Sequence, residues 1–148
     1  VQGNDISNET PDRFLFVFEG LIATLPDKEA RAKAAVLERL GRHKHAARCW
    51  RFDPHTTKRL WDLAWRHHYR FDIVTFKDPD FAEEIGKRMD HLALPVSSVF
   101  ATTVPLLAQE LSFMPSVAAV FDADPERRFS WGNRGRHVSD PSTFNPFA

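Results

Sequence analysis

Two stretches of the sequence set carboxylates directly after apolar runs. Phe14 to Phe18 leads into Glu19-Gly20, and Val117 to Phe121 leads into Asp122-Ala123-Asp124-Pro125. A glutamate at a strand end can carry a proton to or from a reacting oxygen. Asp122 and Asp124 supply the oxygens that a hard cation such as magnesium prefers, although Asp-x-Asp-Pro is equally turn and helix-cap chemistry. At the end of a third run, Phe71 to Phe76, stand Thr75 and Lys77, a hydroxyl and an ammonium able to meet phosphate oxygens. Capping the following loop and plain solvation are their ordinary alternatives. Other groups signal less. His43, His45, His67 and His68 form pairs without the Cys or Glu-x-x-His spacing of a zinc site. Cys49 has no activating partner nearby and reads as a small hydrophobe. Residues 42 to 51, with Arg127, Arg128, Arg134 and Arg136, can form a basic and aromatic surface for nucleic acid or protein, against the plainer reading of a solvated face.

These groups share a site only if strands deliver them to one edge. A run with no polar alternation must be covered on both faces, as in the middle of a parallel sheet. The spacing of Ala30, Ala34, Leu37 and Leu40 predicts a helix over 27–41, and Asp53-Pro54 starts a second one bearing Leu60, Trp61, Leu63, Ala64 and Trp65. Phe81, Ile85, Met89 and Leu92 mark a third helix. Val96 to Phe100 reads as a strand, and Thr103 caps a helix carrying Val104, Leu107, Ala108 and Leu111. Arg136 to Val138 adds an edge strand. Residues 1–12 read as a flexible lead-in, 13–139 as one domain and 140–148 as a tail without periodicity. Strands alternating with helices predict an α/β three-layer sandwich around a central parallel sheet, with the first strand and Val117 to Phe121 as its central neighbours. Ligands of such sheets sit at the carboxyl edge of the strands.

Composition limits the partners. The 148 residues carry twenty basic and twenty acidic side chains, so no global field draws the chain to nucleic acid or an anionic membrane. Thirteen Phe and four Trp suit a wide apolar interior. One cysteine makes no internal disulfide and no apolar run is long enough for a span, so a cytoplasmic protein that does not use the membrane is expected.

The order of these features resembles the haloacid dehalogenase (HAD) superfamily of phosphohydrolases. In that superfamily the first strand ends in Asp-x-Asp-Gly-Thr, the second in Thr or Ser, a lysine precedes the last crossover, and a later strand ends in paired Asp. Val17-Phe18-Glu19-Gly20-Leu21, Thr75 and Asp122-Ala123-Asp124 stand at the corresponding places. The resemblance implies a Rossmann-like sheet, with residues about 22–52 as a small or reduced cap and Asp122 and Asp124 as magnesium ligands. It also implies that the nucleophile, the first Asp of the first motif, is replaced by Val17, which has no lone pair to attack with. No lysine lies near Ala101 to Thr103, so Lys77 is the substitute candidate. The expectation is a catalytically degenerate member that binds a protein partner or a phosphorylated small molecule. The alternatives are a magnesium-dependent phosphohydrolase that uses metal-bound water, with Glu19 as base and Thr75 and Lys77 assisting, and a nucleic-acid or protein interaction module.

Overall fold

The computed structural model describes residues 13–94 and 96–140; the lead-in 1–12 and the tail from 141 to 148 lie outside the described residues. Five parallel strands form the sheet: β1 (Arg13–Val17), β4 (Arg70–Thr75), β5 (Ser98–Ala101), β6 (Val117–Asp122) and β7 (Gly135–His137). Their order is β5-β4-β1-β6-β7. The chain builds outward from β1 through β4 to β5, then returns to the other side of β1 for β6 and β7. The order therefore reverses between β1 and β6, and such a switch point opens a crevice at the carboxyl ends of the two strands.

The predicted neighbours are paired, with Leu15 opposite Val120 and Phe16 opposite Phe121. Alternation along β1 splits its side chains between two separate cores. Phe14 and Phe16 join Phe71, Ile73 and Phe121 under helices α3 (Pro54–His67) and α4 (Pro79–His91), which contribute Leu60, Leu63, Phe81, Ile85 and Met89. Leu15 and Val17 join Val74, Val120, Leu107 and Trp131 on the other face, beneath α5 (Val104–Glu110) and a 3₁₀ segment, Arg127–Arg134. Both faces are covered, which gives the three layers read from the continuous apolar runs. Two helix starts follow the sequence signals at Asp53 and Thr103, and Asp78 caps a third: the side chain of each accepts from backbone N–H groups of the first turn, with a proline at the start.

Two features escaped the sequence reading. Between β1 and α3, two-residue strands β2 (Ala23–Thr24) and β3 (Arg51–Phe52) pair antiparallel. Between them lie helices α1 (Lys28–Arg39) and α2 (His43–Ala47), the second inside the stretch read only as basic. This insertion is clamped to α4. His43 Nε2 lies 3.7 Å from Asp78, Lys44 pairs with Glu83 at 3.4 Å and Arg48 with Glu84 at 3.4 Å, while Arg88 donates to the Ala47 carbonyl at 2.9 Å. Exposed pairs of this kind add little each, so burial of Ala46, Ala47 and Trp50 carries most of the docking. The other feature is Asp72, 1% exposed within β4. It accepts from Arg13 of β1 and, at 2.8 Å, from Ser98 of β5, tying three adjacent strands.

Val120 is wholly buried in the central strand pair, in the apolar cluster with Leu15, Val17, Val74, Leu107 and Trp131. Val120→Asp should cost about 3–5 kcal/mol of unfolding free energy, the penalty of an uncompensated buried charge. Urea unfolding reads this directly, and a midpoint near that of the wild type would count against the two-sided core.

Candidate functional site

The site begins where β1 leaves the sheet. Phe18 to Ile22 form a single wide turn in which the Ala23 N–H donates to the Phe18 carbonyl. Gly20 makes the turn feasible: its φ is +90°, and a Cβ there would lie 3.2 Å from the Ala123 side chain. The turn brings Glu19 and Gly20 against the loop after β6. Together with Ala123, Asp124, Pro125, Glu126 and Arg127 they line an open crevice of about 540 Å³ at the β1/β6 switch point.

Glu19 points back under the sheet edge. Its Oε1 accepts from the Thr75 hydroxyl and from the Phe76 N–H at 3.2 Å, whereas Oε2 is buried with no hydrogen-bond partner. Burial pushes the Glu19 carboxyl above the ordinary glutamate value, against the opposing pull of Thr75, the backbone donors and Arg127. Thr75 is itself buried and also accepts from the Lys77 N–H at 3.2 Å, so it both caps its loop and holds Glu19.

Asp122, at the end of β6, is 0% exposed. Arg127 grips it with two bonds of 2.8 Å, Nε to Oδ2 and Nη2 to Oδ1. Trp131 Nε1 donates to Oδ2 at 3.1 Å, and the Asp124 N–H donates to Oδ1 at 3.0 Å. Each oxygen thus accepts twice, which fills the acceptor capacity of a carboxylate. With Arg127 in place, the arrangement does not fit a cation held by Asp122. Asp124 serves the backbone instead. Its Oδ1 accepts from the N–H groups of Glu126 and Arg127, and these bonds hold its carboxyl below the usual range. That bend, with Pro125 inside it, turns the chain so that Arg127 reaches back to Asp122, with Trp131 four residues further on. The Arg127 guanidinium also lies 4.8 Å over the Phe76 ring, which stacks on Trp131. Its pKa is raised, chiefly by the Asp122 bonds.

The remaining predicted groups lie elsewhere or are paired. Lys77 Nζ is 3.1 Å from Glu38 of α1 and does not line the crevice. His43 and His45 lie on α2, whereas His67 and His68 are at the end of α3. Among the described residues no group of three or more His, Cys, Asp or Glu is placed to hold a metal ion. Arg134 is committed to the carbonyls of Leu111, Met114 and Val117, and Arg136 to those of Asn133 and Gly135. Cys49 is a half-buried free thiol, 3.7 Å from the His45 carbonyl. No helix among the described residues is long and apolar enough to cross a membrane. Sequence reasoning had put Arg127 on a basic surface and gave Trp131 no role. Spacing alone gives no signal, because Arg127 and Trp131 reach Asp122 only through the bend that Asp124 caps.

No family model matches the chain, and no curated protein matches it. Among solved structures it is similar to a HAD-superfamily hydrolase from Ehrlichia chaffeensis, at 13% identity and a TM-score of 0.47, over 86% of this chain and 85% of that one.

The raised pKa of Glu19 makes stability depend on pH. A carboxyl that holds its proton more tightly in the folded state stabilises that state below its unfolded pKa, and this contribution is lost as pH rises through the folded value. From acid pH upward through neutral, the wild type should therefore lose stability relative to Glu19→Gln, which has no proton to lose. Urea midpoints measured for both across that range check the sign; parallel curves would remove the buried, proton-holding Glu19.

Proposed function

We propose that this chain is a non-hydrolytic binding protein, a degenerate relative of the HAD phosphohydrolases that it resembles. The observation that carries the reading is Val17. It stands at the end of β1, where the resemblance implies an attacking carboxylate. Its side chain is wholly buried in the apolar cluster with Val74, Leu107, Val120 and Trp131. The position is given over to packing, and no neighbouring side chain on that strand brings a lone pair to the crevice. Lys77, turned to Glu38, is not in place to neutralise a phosphate there.

The crevice can still bind. Arg127 lines it, and its guanidinium has N–H donors beyond the two spent on Asp122. Donors of this geometry suit a ligand with acceptor oxygens, such as a phosphorylated small molecule or an acidic side chain of a protein partner. Asp124 and Glu126 on the rim favour a ligand that also carries a donor.

One observation favours a second reading. A buried carboxyl with raised pKa at a crevice is the signature of a proton carrier, so Glu19 is suited to acid or base work on a phosphate ester attacked by water. Turnover of a broad phosphate-ester panel, with and without magnesium, separates the two. The binding reading expects no turnover above buffer in wild type, and no gain in Val17→Asp, which places a carboxylate in an apolar cluster and should cost about 3–5 kcal/mol. Robust turnover that disappears in Glu19→Gln would replace the binding reading with the enzymatic one.

A further inference from the structure

We propose that Arg127 is the resident cation of the crevice, holding the place beside Asp122 that a divalent metal would otherwise take and making the crevice independent of metal. The proposal concerns the same crevice as the binding reading but does not rest on it: phosphate-ester turnover would leave it standing, and metal binding would leave the binding reading standing.

Three observations carry the inference. A carboxylate fully removed from water needs a counter-charge, and Asp122 finds it in Arg127, through two 2.8 Å bonds. The other two acceptor sites of Asp122 go to Trp131 and the Asp124 N–H, so no lone pair is left for an incoming ion. Glu19 and Asp124 also lie in the field of the same guanidinium, whose two carboxylate bonds both go to Asp122. The arrangement is built rather than incidental. Asp124 caps the bend that delivers Arg127, and the Phe76 ring, stacked on Trp131, supports the guanidinium from below. A covalently attached cation differs from magnesium in a way that can be measured: chelators cannot remove it, and added metal finds no free acceptor on Asp122.

The experiment is a thermal-shift titration of the full chain with MgCl₂, MnCl₂ and EDTA. Wild type should move by less than about 1 °C in each. Arg127→Ala frees two acceptor sites on Asp122, and its Tm should rise by roughly 3–5 °C with magnesium or manganese at about ten times Kd. That rise should vanish in the double variant Arg127→Ala/Asp122→Asn. If the alanine variant does not fold, Arg127→Gln, which is shorter but keeps part of the aliphatic stem and an N–H donor without the charge, is titrated in its place with the same expectation. Metal-dependent stabilisation of the wild type that is lost in Asp122→Asn would overturn the proposal. So would an Arg127 variant that folds and gains nothing from either metal, because the guanidinium would then not be standing in for a cation.

Discussion

A carboxylate with no exposure to water, at the end of a central strand, must be met by donors and a positive charge, and Asp122 sets that requirement for this fold. Desolvating an ion costs several kcal/mol, and only a complete set of charge-assisted bonds offsets it. The chain meets the requirement within ten residues, from Asp122 itself to Trp131. The loop after β6 therefore has little freedom. Asp124 must cap, Arg127 must reach back and Trp131 must turn inward, and Trp131 then becomes part of the second apolar core. The same pairing bears on the electrostatics of the crevice, because Arg127 is bonded to Asp122 and its charge also acts on Asp124 and Glu19.

The other half of the crevice follows from β1. Its continuous apolar run serves two cores at once, Phe16 on one face and Leu15 and Val17 on the other. Packing therefore claims Val17, and the first polar side chain after the strand is Glu19. The turn at Gly20 does not release Glu19 to solvent; it directs the carboxyl to Thr75 and the Phe76 N–H on the neighbouring strand. Groups that would meet a substrate in an open site are here satisfied by one another: Thr75 by Glu19, Lys77 by Glu38, Asp122 by Arg127. The insertion between β2 and β3 contributes Glu38 to that pattern and docks on α4 mainly through the buried Ala46, Ala47 and Trp50.

What could be read in the sequence was what local periodicity and caps encode. The β1 and β6 runs, the Asp53-Pro54 helix start and the Thr103 cap each carry their signal within a few residues. The β2/β3 pair carried none, because two-residue strands separated by 26 residues have no periodicity to detect. Residues 42 to 51 looked like a basic surface because charge counts do not show that Lys44 and Arg48 face Glu83 and Glu84 across a helix interface. Glu19, Thr75 and Asp122 could be placed at one sheet edge from strand order alone, but not their partners. Whether Asp122 faces a cation from solution or an arginine from its own chain depends on how a capped bend is directed, which is a tertiary property. Asp72 was similarly hidden: a lone acid in a strand says nothing of the arginine at the start of another strand that pairs with it.

A crystal structure of the protein grown in excess magnesium with a phosphate mimic tests the central claim most directly. The metal-free arrangement should persist there: Arg127 remains on both oxygens of Asp122, Asp122 ligates no metal, and any bound oxyanion meets the outer guanidinium N–H groups without an attacking atom opposite its phosphorus or phosphorus analogue. A magnesium ion coordinated by Asp122, with Arg127 displaced into solvent, would contradict it.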